Sequence, residues 1–293
     1  MKIKNLKIYF SLFIVAILVL SFSKTELKTE KSYISIEELF LKKAINVTVT
    51  GLGGHQEECI EFEIENKTDS TVYLEIEPGR RLVSADSTLQ DIFIVKQQLL
   101  ALLSKEKIKV KGYGFCCESS SGSPYTNAIF SVGYMAPPDW IKLAKVINDN
   151  NFPVDAVQHA IWVLSNNHDI SSVNAEDMFS IKELRETLSE ILNIEIPWFS
   201  MSYAKDTTQL FSDRPEMLYG EFSYYIKNNG IVTINIRNSS GVVVKTLLKE
   251  APHDAGNYKY YLNLSVINLP KGEYEIYVFE DYGKLNMKKK FVL

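Results

Sequence analysis

Three cysteines, a glutamine and two histidines are the residues of this chain whose types and spacing could do chemistry. Cys116 and Cys117 are adjacent at the end of an apolar-alternating run, Cys59 lies upstream, and Gln158, His159 and His168 fall in or just after a stretch with helical periodicity. A thiol beside a carboxamide in a dry site can condense to an internal thioester, and a thiol beside an imidazole can act as a nucleophile. Three cysteines in an exported chain leave one thiol over after a single disulfide.

Strand parity assigns each thiol a face. Cys59 shares the face of Glu61 and Glu63, Cys117 that of Lys109 and Lys111, and Cys116 the inward face of Ile108 and Val110. If the two strands are neighbours, Cys59 and Cys117 form a disulfide and Cys116 stays an inward thiol. A bulge at Gly112 or Gly114 would reverse the assignment, and a vicinal Cys116 to Cys117 bridge is a strained third arrangement. The run Val157-Gln158-His159-Ala160-Ile161-Trp162, following Phe115-Cys116-Cys117, resembles the Gln-x-Ala-Ile-Trp signature of the thioester domains of Gram-positive surface adhesins. That resemblance implies that Cys116 or Cys117 condenses with Gln158 and that the thioester captures a nucleophile on a host surface. The simpler reading has Gln158 bonding backbone while Ile161 and Trp162 pack on the sheet.

A cysteine hydrolase would pair Cys116 or Cys117 with His159 or His168, but no nucleophile motif surrounds the cysteines. His159, one position off the Gln158 face, is expected to be an exposed helix residue. The expectation is therefore a protein that is not an enzyme, with no cofactor. Gly51-Leu52-Gly53-Gly54 lacks the Lys-Ser/Thr ending of a phosphate loop and reads as a tight turn. His55, Glu57 and Glu58 read as a solvated loop, with no metal site assigned.

The positioning elements follow from period and punctuation. Lys2, Lys4 and Lys7 precede an apolar run from Ile8 to Phe22, and Ser21-Phe22-Ser23 offers small residues, so 1–23 reads as a secretory signal peptide cut before Lys24. The run falls short of the roughly 20 residues that span a bilayer, so no stable membrane span is expected after cleavage. Loss of those three lysines takes the formal charge from -4 to -7, which argues against nucleic acid as a partner. With 46% apolar and 12% aromatic residues, the remaining chain should fold, and its length suits two domains.

Residues 24–44 read as a polar lead-in, with a short helix from Ile36 to Lys42 that adds little to the core. From 45 to 198 the pattern is that of an α+β domain, an antiparallel sandwich followed by about three helices. Ile60, Phe62 and Ile64, then Val72, Leu74 and Ile76, alternate on either side of an Asn66–Ser70 turn and predict a hairpin. Further strands fit Ile92–Val95, Lys107–Cys116 and Ala128–Tyr134. Helices fit the stripes Trp140, Leu143, Ala144, Ile147, then Val154, Val157, Ile161, Leu164, then Ile181, Leu184, Leu188, Ile191. A Ser/Asp/Thr-rich linker is expected over 199–216, and 217–293 alternates throughout as an all-β Ig-like sandwich.

The segment IVTINIRNSSGVVVKTLL, then Ala255-Gly256-Asn257-Tyr258, Leu269-Pro270-Lys271-Gly272-Glu273-Tyr274 and the terminal KKKFVL, resembles the Ig-like domain of flagellar hook-capping proteins. It is equally similar to the C-terminal sorting domain of the type IX secretion system of Bacteroidota. The resemblance covers about a quarter of the chain. One departure is Tyr260-Tyr261-Leu262-Asn263, where many such domains carry an aromatic-Asp pair. The resemblance implies export across the outer membrane with secretion machinery as a partner, and a secreted or cell-surface location; without active sorting the location would be the periplasm. The functional expectation is a binding or adhesion protein for a protein or glycan at the cell surface.

Overall fold

Alternation of apolar side chains produces strands through most of the chain, and the three apolar stripes of helical period interrupt them once. The computed structural model describes residues 31–205, 210–281 and 283–293, so the expected signal peptide lies outside the described residues. In chain order the elements are β1 (Ile34–Ser35), α1 (Ile36–Leu41), β2 (Ile45–Leu52), β3 (Ile60–Asn66), β4 (Val72–Ile76), β5 (Arg80–Ser84), β6 (Ile92–Ile94), β7 (Gln98–Leu102), β8 (Lys107–Gly112), β9 (Gly114–Cys116) and β10 (Thr126–Met135). Then come α2 (Pro138–Asp149), α3 (Val154–Asn166) and α4 (Lys182–Leu192), followed by β11 (Phe199–Tyr203), β12 (Pro215–Ile226), β13 (Gly230–Asn238), β14 (Val243–His253), β15 (Gly256–Ser265), β16 (Glu273–Glu280) and β17 (Lys284–Val292).

The first part is α+β. A three-stranded sheet in the order β1-β4-β7 faces a seven-stranded sheet in the order β8-β3-β2-β10-β5-β6-β9. All pairings are antiparallel except β1 with β4. Between the sheets lies one apolar core built on Ile45, Phe62, Ile64, Leu74, Ile76 and Leu82. A second core forms where α2, α3 and α4 cover the far side of β6 and β9, with Phe93, Phe115, Leu143, Ala160, Ile161 and Leu184 inside. Strands β6 and β9 are consequently buried on both faces.

Four local expectations are corrected. The alternation of 60–64 and 72–76 makes two strands but no hairpin: β3 pairs with β2 and β8, whereas β4 belongs to the opposite sheet. Asn66 is fully buried at the crossing, and its Nδ2 donates to the Ser70, Leu102 and Leu103 carbonyls. The true partner of β3 is legible in charge, since Glu61, Glu63 and Glu65 register against Lys111, Lys109 and Lys107. The lead-in is part of the core: Ile36 and Leu39 of α1 are buried there.

The run from Lys107 to Cys116 is two strands, β8 and β9, joined through Tyr113 and lying at opposite edges of the same sheet. The expected linker supplies β11, which pairs along β12 from Phe199↔Gly220 to Tyr203↔Pro215.

Arg80 ties the first part together. Its side chain is 1% exposed, forms ion pairs with Glu77 (2.6 Å) and Glu37 of α1, and donates to the Gly133 carbonyl at 2.8 Å. A buried guanidinium is tolerated because carboxylates meet it, and losing both would strand a charge at a cost of several kcal/mol.

The C-terminal part is an Ig-like sandwich of a three-stranded sheet, β11-β12-β15, and a four-stranded sheet, β14-β13-β16-β17. Leu218, Phe222, Ile234, Ile236, Leu264, Ile276, Val278 and Phe291 point into its core. Their neighbours along each strand point outward, the arrangement that two-residue alternation dictates.

Candidate functional site

Strand β9 and helix α3 bring the sequence-marked residues together. Alternation runs through Gly112 and Gly114 without a slip, so Cys116 stays on the inner face with Ile108 and Val110, and Cys117 turns toward the helices. Both glycines sit where the chain crosses close to the core: a Cβ would lie 2.6 Å from the Phe62 ring at Gly112 and 2.5 Å from Ile92 at Gly114.

All three cysteines are free and buried. Cys59 shares the first core with Cys116, whereas Cys117 is in the second, so no Cys59–Cys117 disulfide forms. The reason is that β3 begins only at Ile60: Cys59 belongs to the preceding turn, its N donating to the Glu57 carbonyl at 2.8 Å, so the alternation of Glu61 and Glu63 does not extend to it. The loop then lies along β9, with Gly114 N donating to the Glu57 carbonyl and Cys116 N to that of His55. Cys59 Sγ donates to the Gly114 carbonyl at 3.5 Å and Cys117 Sγ to that of Asp91 at 3.3 Å. Burial pushes Cys59 and Cys117 up to about 12 and Cys116 up as well, although Arg81 pulls against the rise at Cys117. Such thiols are protonated at neutral pH and poor nucleophiles.

Gln158 is 2% exposed and lies against this strand. Strand β9 ends the sheet, so the Cys116 carbonyl has no strand partner; Gln158 Nε2 donates to it at 2.7 Å. The other end of the amide, Oε1, is buried without a hydrogen-bond partner among the described residues. On the Cys117 side, Arg81 is paired with Asp91 at 2.6 Å and Glu118 at 3.6 Å. Nothing in the sequence alone places Arg81 here; the register that sets it opposite Phe93, one strand from β9, does so.

Neither histidine bonds a thiol among the described residues. His159 is packed edge-on against Trp162 (5.5 Å between centroids) and Phe211 (5.9 Å), which corrects its expected exposure. Burial, reinforced by neighbouring His168, depresses His159 to about 4, and burial alone depresses His168. His168 stacks on Phe211 at 4.0 Å, and its Nε2 is 3.1 Å from Ser119 Oγ. That Ser–His pair lacks an orienting third group, because His168 Nδ1 has no partner among the described residues. Among the described residues no group of three His, Cys, Asp or Glu side chains is placed to hold a metal ion.

A second concavity was not foreseen. The helical layer packs on the outer face of the β11-β12-β15 sheet, where Ser200 Oγ donates to Asn174 Oδ1 at 2.9 Å and Arg185 Nη2 donates to the Pro197 and Phe199 carbonyls, each at 2.9 Å. Beside that seam opens a cleft of 580 Å3, with Glu176, Lys182 and Arg185 on one wall and Trp198, Tyr219, Glu221 and Tyr261 on the other. Glu221 and Tyr261 are cross-strand partners, and Tyr261 is 72% exposed.

Comparison with solved structures finds similarity to two structures of the CBM51-2 and INT domains of Clostridium perfringens ZmpB. In the complex with GlcNAc the match is 12% identical and covers 85% of this chain and 79% of that chain, with a TM-score of 0.17. The second is also 12% identical, covers 83% and 77%, and has the same TM-score. A likeness at that score bears on neither fold nor function. No family model matches the chain, and no curated protein does.

The depressed histidines link stability to pH. Unfolded, His159 titrates near its ordinary 6.5; folded, near 4, so the unfolded chain takes up a proton that the fold refuses. Stability present above pH 6.5 is lost as pH falls toward 4. Melting temperature should therefore fall across that window, and His159→Phe, which keeps a ring against Trp162 and Phe211, should flatten the fall. Parallel profiles for the two proteins would remove His159 as the cause.

Proposed function

We propose that this chain is an exported, non-enzymatic binding protein, in which the α+β part and the Ig-like sandwich together hold a glycan or protein ligand in the seam cleft. The observation that carries the reading is Tyr261. An aromatic ring left 72% exposed on the wall of a concavity, beside Tyr219 and between carboxylates and a lysine, has the makeup of a recognition surface. Rings offer flat apolar faces, and the charged rim offers hydrogen bonds to hydroxyls or peptide groups. The Ig-like sandwich would also serve secretion or surface placement, as the resemblance of its strands to sorting domains implies. No turnover is included, because the thiols are held protonated and unpaired with imidazole.

A second reading, covalent adhesion, is favoured by one observation: the Gln158 amide is buried against the Cys116–Cys117 strand. Cys117 is the thiol on the helix side. Its Sγ would attack Gln158 Cδ, forming the S–C bond, while the C–N bond breaks and ammonia leaves carrying the thiol proton. A ligand amine would then displace the thiol to form an amide.

Three measurements test these readings. On an immobilised panel of cell-surface glycans and proteins, Tyr261→Ala should lose about ten-fold or more in retention, the scale of a lost aromatic anchor; undiminished binding moves the site elsewhere. The mature chain should show an intact mass with the Gln158 amide present under the first reading. Under the second it is lighter by one ammonia, a deficit abolished by methylamine and by Cys117→Ala but not by Cys116→Ala. Finally, a chain lacking 217–293 should fail to reach the surface in its native host, and normal arrival would end the sorting role.

A further inference from the structure

We infer that the seam cleft is one end of a longer site, which takes an extended, uncharged polysaccharide chain laid along β12; this rests on reading that cleft as the binding site. Beyond the cleft the outer face of the β11-β12-β15 sheet continues, and register fixes what stands on it. Glu221 faces Tyr261, Ser223 faces Lys259 and Tyr225 faces Asn257. The residues between them on β12, Phe222, Tyr224 and Ile226, point into the sandwich core. Tyr225 is 56% exposed, so a second open ring stands on the same face as Tyr261. Four residues of strand separate Tyr225 from Glu221, the partner of Tyr261, a span of about 13 Å. One sugar ring does not reach both tyrosines, whereas a short oligomer does.

Charge narrows the occupant. Between the two rings, Glu221 and Lys259 neutralise each other at 2.6 Å, and Ser223, Asn257 and Asn263 are exposed and uncharged. In the cleft Lys182 is paired with Glu186 at 3.6 Å, and Arg185 is committed to the Pro197 and Phe199 carbonyls. A nucleic acid or an acidic polysaccharide therefore meets no cation free to receive it, and the Glu176 carboxylate on the cleft wall repels it. An extended peptide held through its main chain would take the free edge of β15 rather than the face. An uncharged polyhydroxylated chain meets ring faces at Tyr219, Tyr261 and Tyr225, and hydroxyl and amide groups between them, without stranding a charge.

The probes are immobilised glucans, mannan, galactan, xylan and chitin, followed by the dimer and hexamer of whichever is retained, titrated calorimetrically into the mature full-length protein. The hexamer should bind at least about ten-fold tighter than the dimer, the scale of a second aromatic anchor, and added salt should change neither affinity, since no ion pair forms with the ligand. Tyr225→Ala, on an exposed side chain, should weaken the hexamer several-fold and spare the dimer; Tyr225→Phe, which keeps the ring, should restore the hexamer. Tyr261→Ala should weaken both. Equal affinity for dimer and hexamer, or a hexamer indifferent to Tyr225→Ala, would overturn the extended site while leaving the cleft in place. Retention of proteins or charged polymers but of no uncharged polysaccharide would overturn the assigned chain chemistry. Binding that survives Tyr261→Ala undiminished would remove the cleft itself, a separate failure.

Discussion

One turn of backbone constrains everything around it: Gly112-Tyr113-Gly114, where a single run of chain leaves one edge of the seven-stranded sheet and becomes the other. Side chains at 112 and 114 would strike Phe62 and Ile92, so the crossing depends on their absence. The strand that emerges, β9, is bordered by β6 on one side and by the His55–Glu57 loop on the other. It has apolar cores on both faces, and that makes α3 necessary. The far face of β6 and β9 must be covered, and the strand's outward carbonyl at Cys116 must be met by a donor that a helix can deliver. Gln158 does both from one position, burying its stem and bonding the edge.

Some of this was legible in the residues. Parity placed Cys116 inside because alternation is a property of the chain alone and nothing interrupts it between Ile108 and Cys116. The three helical stripes and the alternation of the Ig-like part were equally local. What alternation does not carry is partnership: β3 and β4 each read clearly as strands, yet which neighbours they took depended on distant Glu–Lys registration and on Asn66 bridging the crossing. Cys59 was misplaced because β3 starts one residue after it, a boundary that the alternation itself does not announce. Arg185 left a readable trace, a charge set against Leu184 and Leu188 on an otherwise apolar stripe. What it faced was unreadable, because the opposite wall is built from residues much later in the chain.

The two cores also divide the polar burden differently. In the sandwich part Arg80 is neutralised from two directions, and the buried atoms left without a partner among the described residues are Arg81 Nε and Gln98 Oε1. Around the helical core the pairing is incomplete: Gln158 Oε1, His159 Nδ1, Trp162 Nε1, His168 Nδ1 and Arg185 Nε are all buried without partners among the described residues. Unmet buried donors and acceptors each cost free energy. More of them lie on the helical layer than in the sandwich part.

Strand β11 has a mechanical consequence. Chain leaving α4 runs through the irregular segment 193–198, where Arg185 holds the Pro197 carbonyl, and enters the Ig-like sheet at Phe199, whose carbonyl Arg185 also holds. The first regular pairing that tension between the α+β part and the C-terminus would meet is the β11–β12 ladder. If the cleft is the ligand site and the Ig-like part the anchor, as proposed, a pull on the ligand would load those hydrogen bonds and the cleft wall together.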